Sequence, residues 1–99
     1  MLKIIIVGMN LVSRIDALAD LNINTSKYVL FILVIFSFLE LADNTDVLPS
    51  DEELFYNKLI HWRNKFVNDL NCHTNPEQKD ALQRVIDSID GISELVKPI

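Results

Sequence analysis

Apolar and polar positions fall into four periodic pieces, separated by polar clusters at residues 22–26, 43–50 and 71–75. Gaps this short suit connections inside one compact domain. The last piece has the sharpest pattern. Leu82, Val85, Ile89, Ile92 and Val96 recur at steps of three and four, which lines them up along one side of an α-helix, with Ala81 and Ile86 widening the stripe. Asn75 stands where an N-cap belongs, Pro76 is preset for the first helical position, and Gln78 completes a capping box. Pro98 stops the helix, and Asp80 and Arg84 are spaced to pair on its outer side. Gly91 weakens its interior by about 1 kcal/mol relative to Ala. The third piece opens behind the breaker Pro49 with Ser50 and Glu53 as a capping box, then runs Phe55, Leu59, Trp62, Phe66 in the same rhythm. Leu54, Ile60, Val67 and Leu70 join that stripe, polar residues hold the other side, and the helix ends near Asn71.

Residues 27–42 are apolar nearly all round. Periodicity cannot separate a buried helix from a buried strand in such a run; its length, and an N-cap at Asn24 or Thr25, favour the helix. A helix without a polar side needs neighbours on several sides, so this segment is expected at the centre of the fold. The first piece reads two ways. Lys3 to Gly8 resembles a buried parallel strand feeding a helix over residues 10–21, yet Leu11, Ile15 and Leu18 also keep helical spacing with Ile4 and Val7. Two strands make a poor sheet unless a second chain completes it. The expected fold is therefore an all-α, compact bundle of about four helices, one domain over residues 1–99, with a fully apolar helix at its centre.

The chain has 99 residues, 49% of them apolar, with 2 Gly and 3 Pro and a net charge of −5. That composition collapses rather than staying disordered. Cys72 is alone, so no internal disulfide forms, which fits a reducing compartment. Asp and Glu (14) outnumber Lys and Arg (9), which argues against binding a phosphate backbone, where clustered cations are needed. The uncharged run over residues 28–39 falls short of the roughly 20 residues a bilayer demands. The N-terminus imitates a secretory signal, with Ala17-Leu18-Ala19 as a cleavage site, but Arg14 and Asp16 interrupt it where such signals are uncharged. A cytoplasmic chain with no membrane segment and no nucleic-acid partner is expected.

Few residues suggest chemistry. After Gly8 come Met9, Asn10, Leu11 and Val12, where a dinucleotide-binding strand needs further glycines to admit a pyrophosphate. Adjacent Cys72 and His73 diverge on most backbones, and with His61 they supply no second spaced pair of metal ligands. No nucleophile–base pair can be placed. Neither metal, cofactor nor enzymatic activity is expected. Trp62 falls inside the Phe55, Leu59, Phe66 stripe and is assigned to the core.

Two surfaces remain. Glu40, Asp43, Asp46, Asp51, Glu52 and Glu53 are six carboxylates in fourteen residues without a Lys or Arg among them. Asp51, Glu52 and Glu53 suit the first turn of a helix, where the dipole favours anions, and the others suit a solvated loop. Together they can also form an acidic lip for a cationic partner. Lys58, His61 and Lys65 lie on one side of the third helix, near Trp62 and Arg63. The expected partner-binding residues are thus Glu40, Asp43, Asp46, Asp51, Glu52, Lys58, His61 and Lys65. The expected function is a non-enzymatic protein-binding factor, an acidic helical inhibitor, immunity-type or regulatory protein that engages a basic partner. The alternative is a structural or assembly protein forming an obligate homodimer through excess apolar helix surface.

Overall fold

The computed structural model describes residues 2–44 and 47–97, and among them it forms helices and no strands. The first helix, α1, runs unbroken over Leu2–Ala17, so the stretch from Lys3 to Gly8 is helical rather than extended. Ile4, Leu11 and Ile15 repeat at steps of seven and four and are buried, as is Leu18 one turn further on, while Lys3, Ile6, Met9 and Asn10 face outward. A helix that hides one stripe needs no second strand. The chain then tightens into a short 3-10 turn, Leu18–Leu21, closed by Asn22 in the left-handed region at φ 62°. There the Asn22 N–H donates to the Ala19 carbonyl and the Ile23 N–H to the Leu18 carbonyl, both at 3.1 Å. Asn tolerates this backbone better than most residues with a side chain.

The Asn24 carboxamide oxygen accepts from the Ser26 N–H at 3.0 Å and from its hydroxyl at 2.7 Å. The expected cap therefore serves a 3-10 turn, Ser26–Tyr28, and the second helix, α2, spans Val29–Asp43. The third, α3, spans Pro49–Cys72. Pro49 is its first residue rather than a breaker ahead of it, and Asp51 replaces Glu53 as the residue that reaches back, accepting from the Leu48 N–H at 3.0 Å. The fourth, α4, spans Pro76–Val96, with the Asn75 side chain accepting from Glu77 and Gln78 as its cap. Gln78 does not close a capping box. Its amide instead donates to the Leu21 carbonyl at 2.8 Å, tying the end of the first segment to the start of α4.

The four helices close a ring in which α4 lies along both α1 and α3, and α2 joins α1 to α3. Of the α4 stripe read from sequence, Leu82, Val85, Ile86, Ile89, Ile92 and Val96 are buried and Ala81 is half-buried at its margin. Polar ties brace the seams. Arg14 donates to the Ser88 hydroxyl at 2.7 Å and to the Arg84 carbonyl at 2.9 Å, joining α1 to α4. Arg63 and Asp90 form a forked pair between α3 and α4 at 2.6 and 3.3 Å. That hydrogen bond, more than the accompanying charge attraction, raises the Arg63 pKa above its usual value. The Asp80–Arg84 pair forms as spaced, at 3.1 Å and well exposed, so it contributes only a few tenths of a kcal/mol.

The position of α2 corrects one expectation. The bundle and its apolar helix are present, but α2 is not wrapped on all sides. Phe31, Ile35, Phe38, Leu39 and Ala42 are buried, whereas Val29, Leu30, Leu33, Phe36 and Leu41 stay in water. Three other helices are too few to surround a fourth, and α1 and α3 take only its inner side. Against α1 the approach is close: a Cβ on Gly8 would fall 2.7 Å from a methyl of Leu39. Against α3 the contact runs through rings. Tyr28 stacks on Phe66 at 4.1 Å, Phe31 on Trp62 at 5.3 Å and Phe38 on Phe55 at 4.1 Å. The pairs ascend along α2 as they descend along α3, which fixes the two helices antiparallel.

Two stability tests follow from these contacts. A Cβ at Gly91 meets nothing within 4 Å, so Gly91→Ala gains the helix-propensity difference of about 1 kcal/mol in urea unfolding. Gly8→Ala collides with buried Leu39, and its stability falls at least about 1 kcal/mol below that of Gly91→Ala because overpacking offsets the same gain. The Tyr28 hydroxyl is buried with no hydrogen-bond partner among the described residues. Tyr28→Phe therefore leaves stability unchanged or raises it by about 1 kcal/mol, read as a higher urea midpoint at unchanged slope.

Candidate functional site

Between α2 and α3, outside the ring-stacked seam, lies a groove of about 510 Å³. From α2 it takes Leu30, Leu33, Val34, Ser37, Phe38 and Leu41, which recur at steps of three and four along the helix. From α3 it takes Asp51, Leu54, Phe55, Lys58 and Trp62. The backbones of α2 and α3 come close at far fewer places than those of α3 and α4, and the groove is the space the rings leave. Leu30 is 69% exposed, Leu33 55% and Leu54 57%, so the groove is rimmed by an exposed apolar patch, a feature that often marks an interaction surface. The volume falls within the range of ligand and peptide clefts.

The charged candidates divide along this groove. Glu40 and Asp43 are exposed near the C-terminal end of α2, and Asp51 and Glu52 are half-buried in the first turn of α3. Because the helices are antiparallel, all four stand at the same end. Asp51 also caps α3 through the Leu48 N–H, so the structural role expected of it is shown. Asp46 lies outside the described residues. Lys58, His61 and Lys65 are exposed on α3. Lys58 lines the middle of the groove, and Lys65 stands beside the Tyr28–Phe31 end with its ammonium 4.9 Å from the Trp62 ring centre. His61 meets the edge of the same indole at 5.9 Å. At that end Lys27 is engaged by Asp69 at 2.8 Å. Of the charged candidates only Asp51 and Lys58 line the groove; the other described acidic ones stand at the Asp51 end of the helix pair without lining it, and Lys65 stands toward the other end.

Trp62 is buried as a core residue and stacked on Phe31, and its edge still reaches the groove wall. Cys72 is exposed at the end of α3, and the His73 ring nitrogen lies 2.6 Å from the Asp69 carbonyl. Among the described residues no three of His, Cys, Asp and Glu stand together as a metal site, and no helix is long and apolar enough to cross a membrane. The polar side chains lining the groove are Ser37, Asp51 and Lys58, with Asp51 already engaged by backbone. Such a surface suits the burial of apolar groups, with one carboxylate at its end and one ammonium at its middle.

Leu30, Leu33 and Leu41 are site residues that the sequence did not single out, and Leu54, read there as part of the α3 apolar stripe, is exposed at the groove instead, as Ile60 is elsewhere on α3. The signal available was arithmetic rather than periodic: one helix apolar on every side and only three others to cover it. Which side of α2 is open is directly measurable. Leu33→Ser changes unfolding free energy by no more than about 0.5 kcal/mol, while Ile35→Ala, two positions on and fully buried, costs about 2–4 kcal/mol in the same urea titration. Compared with family models, with curated proteins and with solved structures, the chain matches none.

Proposed function

We propose that this protein is a non-enzymatic binding factor that works by covering its α2–α3 groove with another polypeptide chain. The observation that carries the reading is the row Leu30, Leu33, Leu41 and Leu54, four large apolar side chains in water around one groove. Burying such a side chain contributes about 1.5–3 kcal/mol, so a partner that covers all four gains a specific apolar anchor. Glu40, Asp43, Asp51 and Glu52 add a preference for a partner with Lys or Arg at the matching end, which acts mainly on orientation and association rate. An amphipathic helix of about three turns laid between α2 and α3 has the right shape, since its apolar side chains at steps of three and four meet those of α2. An inhibitory or regulatory role then consists of occupying the partner's own apolar segment.

Photocrosslinking in the producing cell tests this. A photoreactive side chain at Leu33 or Leu54 is expected to yield a discrete adduct with a protein, and one at Asn64 or Gln83, away from the groove, is not. Replacing Glu40 and Asp51 by Gln and Asn lowers the adduct yield several-fold, with less effect as salt is raised. Equal yields from all four positions, or none from the groove, would falsify the reading.

A further inference from the structure

The groove reading leaves open what kind of chain fits it, and Lys58 narrows that. Lys58 stands on α3 between the Phe38–Phe55 and Phe31–Trp62 stacks, in the middle of the groove. One turn away along α3 it has Leu54 and Phe55 in one direction and His61 and Trp62 in the other. The α2 side chains that line the groove with it are apolar except for Ser37. The one carboxylate in the lining, Asp51, is two turns of α3 away and already holds the Leu48 N–H. Among the described residues Lys58 has neither an ion pair nor a hydrogen bond. Its neighbours in charge differ: Lys27 is paired with Asp69 at 2.8 Å, and Lys65 lies against the Trp62 ring outside the lining.

In the free chain the Lys58 ammonium is exposed and water solvates it. A chain laid over Leu30, Leu33 and Leu54 takes that water away. A charge covered without a counter-charge costs enough to cancel much of what the apolar contact contributes. The lysine stem lies readily along apolar surface, but its head must still reach water or an anion. No free carboxylate of the groove wall stands near enough to serve, so the occupant has to bring one. We infer that the segment docking in the α2–α3 groove is an amphipathic helix with Asp or Glu in the middle of its apolar side, and that this carboxylate pairs with Lys58. The inference rests on the proposed binding role of the groove and names the chemistry that role selects. It concerns the middle of the groove, and a preference for Lys or Arg at the Asp51 end is separate from it. A helix with Lys or Arg at its own middle is rejected, since two like charges then meet where water is excluded.

The chain's one Trp lines the groove, so Trp62 emission reports when the groove is occupied. The probes are three Trp-free synthetic peptides of about three helical turns, with Leu at steps of three and four and Glu, Gln or Lys at the centre of that side. The Glu peptide is expected to bind about tenfold or more tighter than the Lys peptide, with the Gln peptide between them. The net charge of −5 favours the opposite order, so overall attraction cannot produce this one. Lys58→Glu reverses the order. Lys58→Met, which keeps an apolar stem, abolishes it while the Gln peptide binds at least as tightly as before. Lys65→Glu makes the same change of net charge outside the groove lining and leaves the order intact. Both positions are exposed, so these variants keep their helical circular dichroism. An order that Lys58→Glu does not move, or a wild-type preference for the Lys peptide, overturns the inference. The binding role then stands or falls on the Leu33 and Leu54 adducts alone. No binding by any of the three peptides also overturns the inference. Dodecanoate bound through Lys58 then gives the groove to a small amphiphile, and a dimer weakened by Leu33→Glu gives it to a second copy.

Discussion

The seam between α2 and α3 is held by flat rings rather than by close approach of backbones, and most other features of the molecule depend on that. Stacked or edge-on aromatic pairs contribute about 0.5–1.5 kcal/mol each beyond the area they bury. Phe31 and Phe38 supply them from α2 and Tyr28 from the turn just before it, and Trp62, Phe55 and Phe66 receive them on α3. The rings fix direction and register, because each stacks on one partner, while Tyr28 meets Trp62 edge-on and Phe31 meets Phe66 at a tilt between the rungs. They also hold the helices without filling the space beside them, so the outer flank of the seam is left as a groove. On the α1 side the opposite solution operates: Gly8 carries no side chain and Leu39 fills the space. One helix is thus clamped tightly on one flank and loosely on the other.

Polar contacts then limit how the ring of helices can shift. Arg14 crosses from α1 to the Ser88 hydroxyl and the Arg84 carbonyl on α4, and Arg63 grips Asp90 across the α3–α4 seam. Gln78 satisfies the Leu21 carbonyl where the first segment ends. These bonds are partly in water and contribute modestly to stability. They join α4 to its neighbours on both sides, which makes α4 the spine of the bundle and leaves α2 at its open edge. The groove and its bare leucines belong to that edge.

The helical pieces were legible because their signals are local. Asn75 and Pro76 mark the start of α4 through backbone geometry alone, and the stripe from Leu82 to Val96 predicts its own burial. The start of α3 was read two residues late, since Pro49 can close one element or open the next, and the choice between a Ser50–Glu53 box and the Leu48–Asp51 one is settled only by the turn actually formed. The six carboxylates and the three cations were visible as clusters in the chain. That Glu40, Asp43 and Asp51 share one end of the α2–α3 pair, with Lys65 at the other, follows from the antiparallel course of the two helices and has no linear signature.

What the sequence determined by itself is two patterned, capped helices beside an apolar run with no polar side. Spacing, caps and breakers act over a few residues, and they carry that much. The side on which α2 meets water was decided by tertiary structure, for a physical reason: when every position is apolar, the pattern contains no phase. The phase is set by which rings find partners across the seam and by Gly8 admitting Leu39, contacts between residues far apart in the chain. Those contacts turn an unpatterned apolar segment into one buried side and one open side.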